Sequence, residues 1–91
     1  MTNAIVLIQA GREHVAALGD VLADVEGVAE AYSVTGEWDY VAIVRVARQE
    51  ELAEVVTGRL ATLPGVVRTY TMVAFKAYSR HDLEQMFSIG A

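Results

Sequence analysis

Cysteine is absent from this chain, proline occurs once, and the only histidines are His14 and His81. Without thiols there can be no disulfides and no thiolate metal ligands. Two histidines so far apart do not make a metal-ligand pattern, and neither a metal nor any other cofactor is expected. Basic residues are also scarce: 7 Lys and Arg stand against 12 Asp and Glu, for a net charge of −5. Phosphate neutralisation dominates affinity for nucleic acid, so an acidic domain without a basic cluster is a poor DNA binder. No apolar run approaches the roughly 18 residues of a membrane span. The opening Met1-Thr2-Asn3-Ala4 lacks the basic start of a signal peptide. These absences predict a cytoplasmic protein that contacts neither duplex DNA nor membrane directly. They also leave no catalytic motif, since there is no P-loop and no GxGxxG. Ser79, His81 and Asp82 read as a helix cap rather than a triad.

What the chain has in quantity is apolar side chains, 54% of 91 residues. That length is one domain. A monomer of this size buries only roughly 60–65% of the surface its unfolded chain exposes. With no disulfide or metal to add stability, small size and high apolarity point to subunit contacts.

The apolar residues are patterned. Asn3 to Ala10 reads as a buried strand ended by Gly11. From Glu13 to Val25, Val15, Leu18, Leu22 and Val25 recur at helical spacing, and Gly27 stands at the helix stop. Val28 to Thr35 and Asp39 to Val46 are two further strands, joined through Thr35-Gly36-Glu37-Trp38 as an antiparallel hairpin with Gly36 as the residue at positive φ. A second helix is expected over Gln49 to Leu63, with a poor N-cap and a weakening Gly58, ended by Pro64-Gly65. Val66 to Ala77 is the fourth strand, and a short helix is expected from the Ser79 cap to Phe87.

The order β-α-β-β-α-β is supported by an internal repeat. Aligning Ala4 with Ala42 also brings Ile5-Val6 onto Ile43-Val44, Leu22-Ala23 onto Leu60-Ala61, Gly27-Val28 onto Gly65-Val66 and Tyr32 onto Tyr70. Two β-α-β units in one register predict an α+β, ferredoxin-like split fold. In that fold both helices cover one face of the sheet, and a wet opposite face would make each strand alternate apolar with polar. These strands do not alternate. Ala4, Val6 and Ile8 oppose Ile5 and Leu7; Ala42, Val44 and Val46 oppose Val41 and Ile43; Val67, Val73 and Phe75 oppose Val66, Tyr70 and Met72. At ~1.5–3 kcal/mol per buried side chain, the uncovered face rivals a domain's whole net stability of about 5–15 kcal/mol. Two sheets stacked in a twofold dimer, a dimeric α/β barrel, are the simplest remedy.

Two segments carry candidate chemistry. Thr35-Gly36-Glu37-Trp38-Asp39-Tyr40 gathers the only tryptophan, two carboxylates and a phenol around a turn glycine. It is either a plain hairpin with Asp39 bonded to nearby amides, or a tip whose costly exposed Trp38 meets a ligand or neighbour. Thr69 and Thr71 put two hydroxyls on one side of the last strand, which is either β-propensity or a binding feature.

These residues carry a resemblance. Gly27-Val28, Tyr32 to Tyr40, Pro64-Gly65-Val66 and Thr69-Tyr70-Thr71 together resemble the effector-binding (RAM) domain of the leucine-responsive and asparagine-responsive (Lrp/AsnC) transcription regulators. The likeness runs from about Asn3 to Tyr78, and V-T-G-x-x-D followed by P-G-V-x-x-T-x-T is specific to that family. Full-length members carry an N-terminal helix-turn-helix domain. Here the chain opens on the first strand, so the expectation is a single stand-alone domain over residues 1–91. The resemblance implies dimers by sheet stacking, assembled into rings of dimers, with amino-acid effectors bound between dimers. Carried over by position, Gly36, Asp39, Thr69 and Thr71 match the effector motif, with Trp38 and Tyr40 matching it less directly.

The function implied is that of a non-enzymatic regulatory domain. It binds a small amphoteric metabolite and modulates transcription as a homo-oligomer or by joining a full-length Lrp/AsnC regulator. Asp39 suits an ammonium, and hydroxyls or amides near Gly36 suit a carboxylate. Asp39→Ala is then expected to abolish binding and leave the fold intact. The alternatives are a cofactor-free dimeric α/β barrel enzyme, a monooxygenase or isomerase using His14 or Tyr32, and a structural subunit without a ligand.

Overall fold

The structure is a computed structural model and describes residues 1–78 and Arg80. Runs of Ile, Val and Ala make four strands: β1 (Thr2–Ala10), β2 (Val28–Ser33), β3 (Tyr40–Val46) and β4 (Val66–Val73). They form one sheet in the order β2-β3-β1-β4, antiparallel throughout. The first half's leading strand lies beside the second half's leading strand at the centre, as the internal repeat requires. This is the ferredoxin-like split arrangement.

Strand alternation decides the core. Ala4, Val6 and Ile8 of β1 and Ala42, Val44 and Val46 of β3 are buried against Leu18, Leu22, Leu52, Val55 and Leu60 from the helical segments. Tyr40 falls on this same face, and its hydroxyl donates to the Val15 carbonyl. No helix among the described residues is long and apolar enough to cross a membrane.

The helices are shorter and less regular than their periodicity predicts. The first, α1, is helical over Leu18–Ala23 alone. Residues 12–17 form turns, held by the His14 amide on the Gly11 carbonyl (2.9 Å) and the Leu18 amide on that of His14 (3.1 Å). No side chain caps α1, and Gly19 weakens it for a packing reason. A Cβ at Gly19 would sit 3.2 Å from the Tyr40 ring, so a larger residue there would oblige the ring to shift by a few tenths of an ångström. The second, α2 (Glu51–Ala53), starts without a side-chain cap. It widens at once into a π-helix over Glu54–Leu60, a geometry that is rare beyond a single turn. Thr62 Oγ1 donates to the Gly58 carbonyl (2.8 Å) inside it. The strands also end earlier than expected, at Ser33 and Val73, although the Ala74 amide still reaches the Asn3 carbonyl (2.9 Å). The expected helix from Ser79 to Phe87 lies outside the described residues.

The described residues leave the other sheet face open. Ile5, Leu7, Val41 and Ile43 are half-buried there. Tyr32, Tyr70 and Met72 complete the face at 49%, 56% and 39% exposure. The expected apolar face is present.

Candidate functional site

The hairpin between β2 and β3 is built around Gly36, at φ +102°, and is closed by the Val34 amide on the Asp39 carbonyl (3.0 Å). A Cβ at Gly36 would meet nothing within 4 Å, so glycine is required for its backbone angle and not for space. The amides of Thr35, Gly36, Glu37 and Trp38 make no hydrogen bond among the described residues, leaving a short run of unpaired donors.

Asp39 ties this turn to the sheet. Its amide donates to the Ile8 carbonyl (2.9 Å), and its Oδ2 accepts the Ala10 amide at 2.8 Å. Ala10 is where the β1–β4 register shifts. A backbone donor at the end of β1, beyond the first residue of β3, is thus taken by the carboxylate, which meets the general requirement that such donors be paired. Asp39 is therefore structural as well as polar. Asp39→Ala is not the fold-neutral change expected from the sequence, because it orphans the Ala10 amide. The second oxygen, Oδ1, makes no hydrogen bond among the described residues.

Beside the turn lies a cluster that the sequence does not announce. Trp38 folds back over β4, its ring centroid 6.4 Å from that of Tyr70. The Arg68 guanidinium stacks 4.6 Å from the Trp38 ring centroid, and its Nη2 lies 3.2 Å from Glu37 Oε2. Gln9 Nε2 donates to the Glu37 carbonyl (2.9 Å). Arg68 and Gln9 are register partners across β4 and β1, as are Tyr70 and Leu7. The cluster therefore occupies the turn end of the open sheet face. The one local hint was the spacing of Arg68 and Tyr70, which share a strand face.

The six residues expected to form the site are not brought together within one chain. Gly36 and Asp39 are at the turn, and Trp38 is on the open face. Thr69 and Thr71 pair with Ile8 and Val6, whose side chains are fully buried on the opposite, helix-covered face. They lie along the β4 edge there, Thr69 half-buried and Thr71 exposed. Tyr40 is only 6% exposed. It stands apart from the other five as a core residue, because it shares strand parity with Ala42 and Val44. A cleft of about 270 Å³ lies at the far end of the sheet, lined in part by Glu26, Gly27, Glu54, Val55 and Arg59. Arg59 is already engaged there by the Glu26 carbonyl (2.8 Å) and by Glu54 (3.0 Å). Among the described residues no cluster of His, Asp and Glu could hold a metal ion. On the open face, the hydrogen bond from Tyr32 to Glu30 and that carboxylate's charge raise the Tyr32 phenol above its usual pKa.

The interleaved antiparallel sheet, with both helical segments on one face and an apolar face that the described residues leave uncovered, defines the ferredoxin-like class of split β-α-β domain. Residues 3–83 match the family model of the Lrp/AsnC ligand binding domain, and the chain belongs to that family. Over 58 residues it is 40% identical to the HTH-type transcriptional regulator PF0250 of Pyrococcus furiosus, an alignment covering 64% of this chain and 39% of the relative. The match thus spans well under half the length of that curated regulator. Among solved structures, TTHA0845 from Thermus thermophilus is 50% identical with a TM-score of 0.81, covering 88% of this chain and 100% of that one. The feast or famine regulatory protein Rv3291c from M. tuberculosis, solved in complex with L-methionine, is 29% identical with a TM-score of 0.69, covering 88% and 54%.

Proposed function

We propose that the chain is the effector-sensing part of a transcriptional regulatory system, binding an α-amino acid at the Gly36–Asp39 turn. The assembly would be built on dimers that stack their open sheet faces, and it would act either alone or with a DNA-binding member of the same family. The observation that carries this reading is the turn itself: within a member of a ligand-binding family, unpaired amides adjoin a carboxylate with one oxygen unused. The amides and Asp39 offer opposite polarities to a zwitterion. L-methionine in the complex of the mycobacterial relative supports an amino acid as the class of ligand. Thr69 and Thr71, on the other face of the β4 edge, would join the site from a neighbouring copy, so that ligand and assembly are coupled. The half-buried Ile5, Leu7, Val41 and Ile43 support the same reading, because stacking two copies would cover them without a further partner.

The test is a thermal-shift screen against the twenty amino acids. A ligand at 100 times its dissociation constant stabilises the folded state by about 2.7 kcal/mol, a shift of several degrees for a chain of this size. Asp39→Asn is the informative variant, since it keeps an acceptor for the Ala10 amide and removes the charge. Failure of every amino acid to move the transition, or an unchanged response in Asp39→Asn, would refute the proposal.

A further inference from the structure

We propose that Arg68 anchors the carboxylate of the amino-acid effector, and that Glu37 is the internal carboxylate displaced from Arg68 when the effector binds. This rests on the effector reading above and specifies which charges at that site select the ligand. An α-amino acid needs an acceptor for its ammonium and donors for its carboxylate. Asp39 Oδ1 supplies the first. Asp39 reaches the chain at Ala10, and Arg68 is the register partner of the adjacent Gln9, so opposite charges flank one dipeptide of β1.

The geometry around Arg68 suits exchange. Its guanidinium lies over the Trp38 ring, 4.6 Å from the centroid, a contact made to the ring face that uses none of its N–H donors in a hydrogen bond. A single ion-pair contact, at 3.2 Å, goes to Glu37, and the side chains are 53% and 69% exposed. An ion pair so open to water is weak, so a ligand carboxylate can replace Glu37 at little cost. Glu37 need not leave the turn when it yields. Its carbonyl is held by Gln9 (2.9 Å), so only the side chain has to swing away.

This exchange predicts effects of opposite sign. If the pair were only structural, removing either partner would loosen the turn and weaken binding. If Glu37 competes with the ligand, Glu37→Gln tightens binding and Arg68→Gln weakens it. Arg12 provides the control, because it carries the same charge close to Ala10 and makes no ion pair among the described residues.

The experiment takes the full chain and the twenty amino acids. Each one that raises the melting temperature is titrated calorimetrically beside its carboxamide, against wild type, Arg68→Gln, Glu37→Gln and Arg12→Gln. Wild type is expected to bind the acid on the order of tenfold more tightly than the amide. Arg68→Gln should lose most of that discrimination, the turn amides alone then meeting the carboxylate. Glu37→Gln should bind the acid roughly two- to fivefold more tightly than wild type, and Arg12→Gln should match wild type. Undiminished discrimination in Arg68→Gln, or no gain in Glu37→Gln, overturns the proposal while leaving the effector reading standing. If none of the twenty binds, the effector reading falls and Arg68's role falls with it.

Discussion

Two glycines with nearly the same backbone angle make a controlled experiment. Gly36 has φ +102° and Gly65 has φ +94°, so alanine at either position incurs a similar conformational penalty, roughly 1–3 kcal/mol. Their surroundings differ. A Cβ at Gly36 would meet nothing within 4 Å, whereas at Gly65 it would lie 2.4 Å from His14 Cβ and 2.5 Å from His14 Cγ. Those atoms sit at the root of the side chain and cannot rotate away. The segment carrying His14 is also tied to Gly65, whose carbonyl accepts the Gly11 amide at 2.8 Å. Relief therefore requires backbone movement, at an added cost of about 1–3 kcal/mol typical of overpacking. Gly36→Ala should accordingly lower the melting temperature modestly. Gly65→Ala should lower it further, by at least ~4 °C more, taking roughly 4–8 °C per kcal/mol for a domain of this size. The assay is differential scanning calorimetry at one fixed protein concentration, because association makes the transition concentration-dependent. Equal losses in the two variants would refute the claim that the contact with His14, and not φ alone, holds the β4 entry in place.

Other perturbations probe the remaining elements. Placing a charge on the open face with Leu7→Asp should yield a monomer near 9.9 kDa or an unfolded chain; light scattering that shows an unchanged, larger assembly would contradict face-to-face stacking. Tyr40→Phe removes the donor to the Val15 carbonyl and should cost about 1–3 kcal/mol in urea denaturation, while affinity for any effector stays as in wild type; a binding defect without a stability loss would return Tyr40 to the site. Asp39→Ala should be markedly less stable than Asp39→Asn, since only the latter keeps an acceptor for the Ala10 amide; matching denaturation midpoints would dismiss the tie. The Tyr32 phenol is raised above 10.0 by Glu30, so the neutral form is the favoured one and its stabilisation fades as pH climbs through the raised value. NMR titration of labelled tyrosine should show Tyr32 moving down in Glu30→Gln, and no change would rule out the contact.

Much of the fold was legible because it depends on short-range pattern. The echo of Ala4-Ile5-Val6 in Ala42-Ile43-Val44 identified the two central strands, and their lack of polar alternation identified a sheet with both faces apolar. Gly36 marked the turn through its own stereochemistry. The helices were less legible. Apolar spacing marks which residues face inward, but it does not report that Gly19 packs closely against the Tyr40 ring, nor that the Gly58 segment winds as a π-helix. Tyr40 could have been placed from its parity with Ala42 and Val44, and was instead grouped with its neighbours in sequence.

The candidate site was legible only in part, for a physical reason. Asp39 meets Ala10 across 29 positions, and Arg68 meets Glu37 across 31. Neither contact leaves a local trace, since exposed charges are acceptable at those positions with or without partners. The residue types of this chain determined which stretches become strands, where the chain turns, and that both sheet faces are apolar, because each follows from steric preference and solvation acting over a few residues. Which carboxylate is tied to the backbone, which guanidinium stacks on Trp38, and that Thr69 and Thr71 fall on the face away from Trp38 were decided by strand order and register, which bring distant residues together only once the sheet has formed.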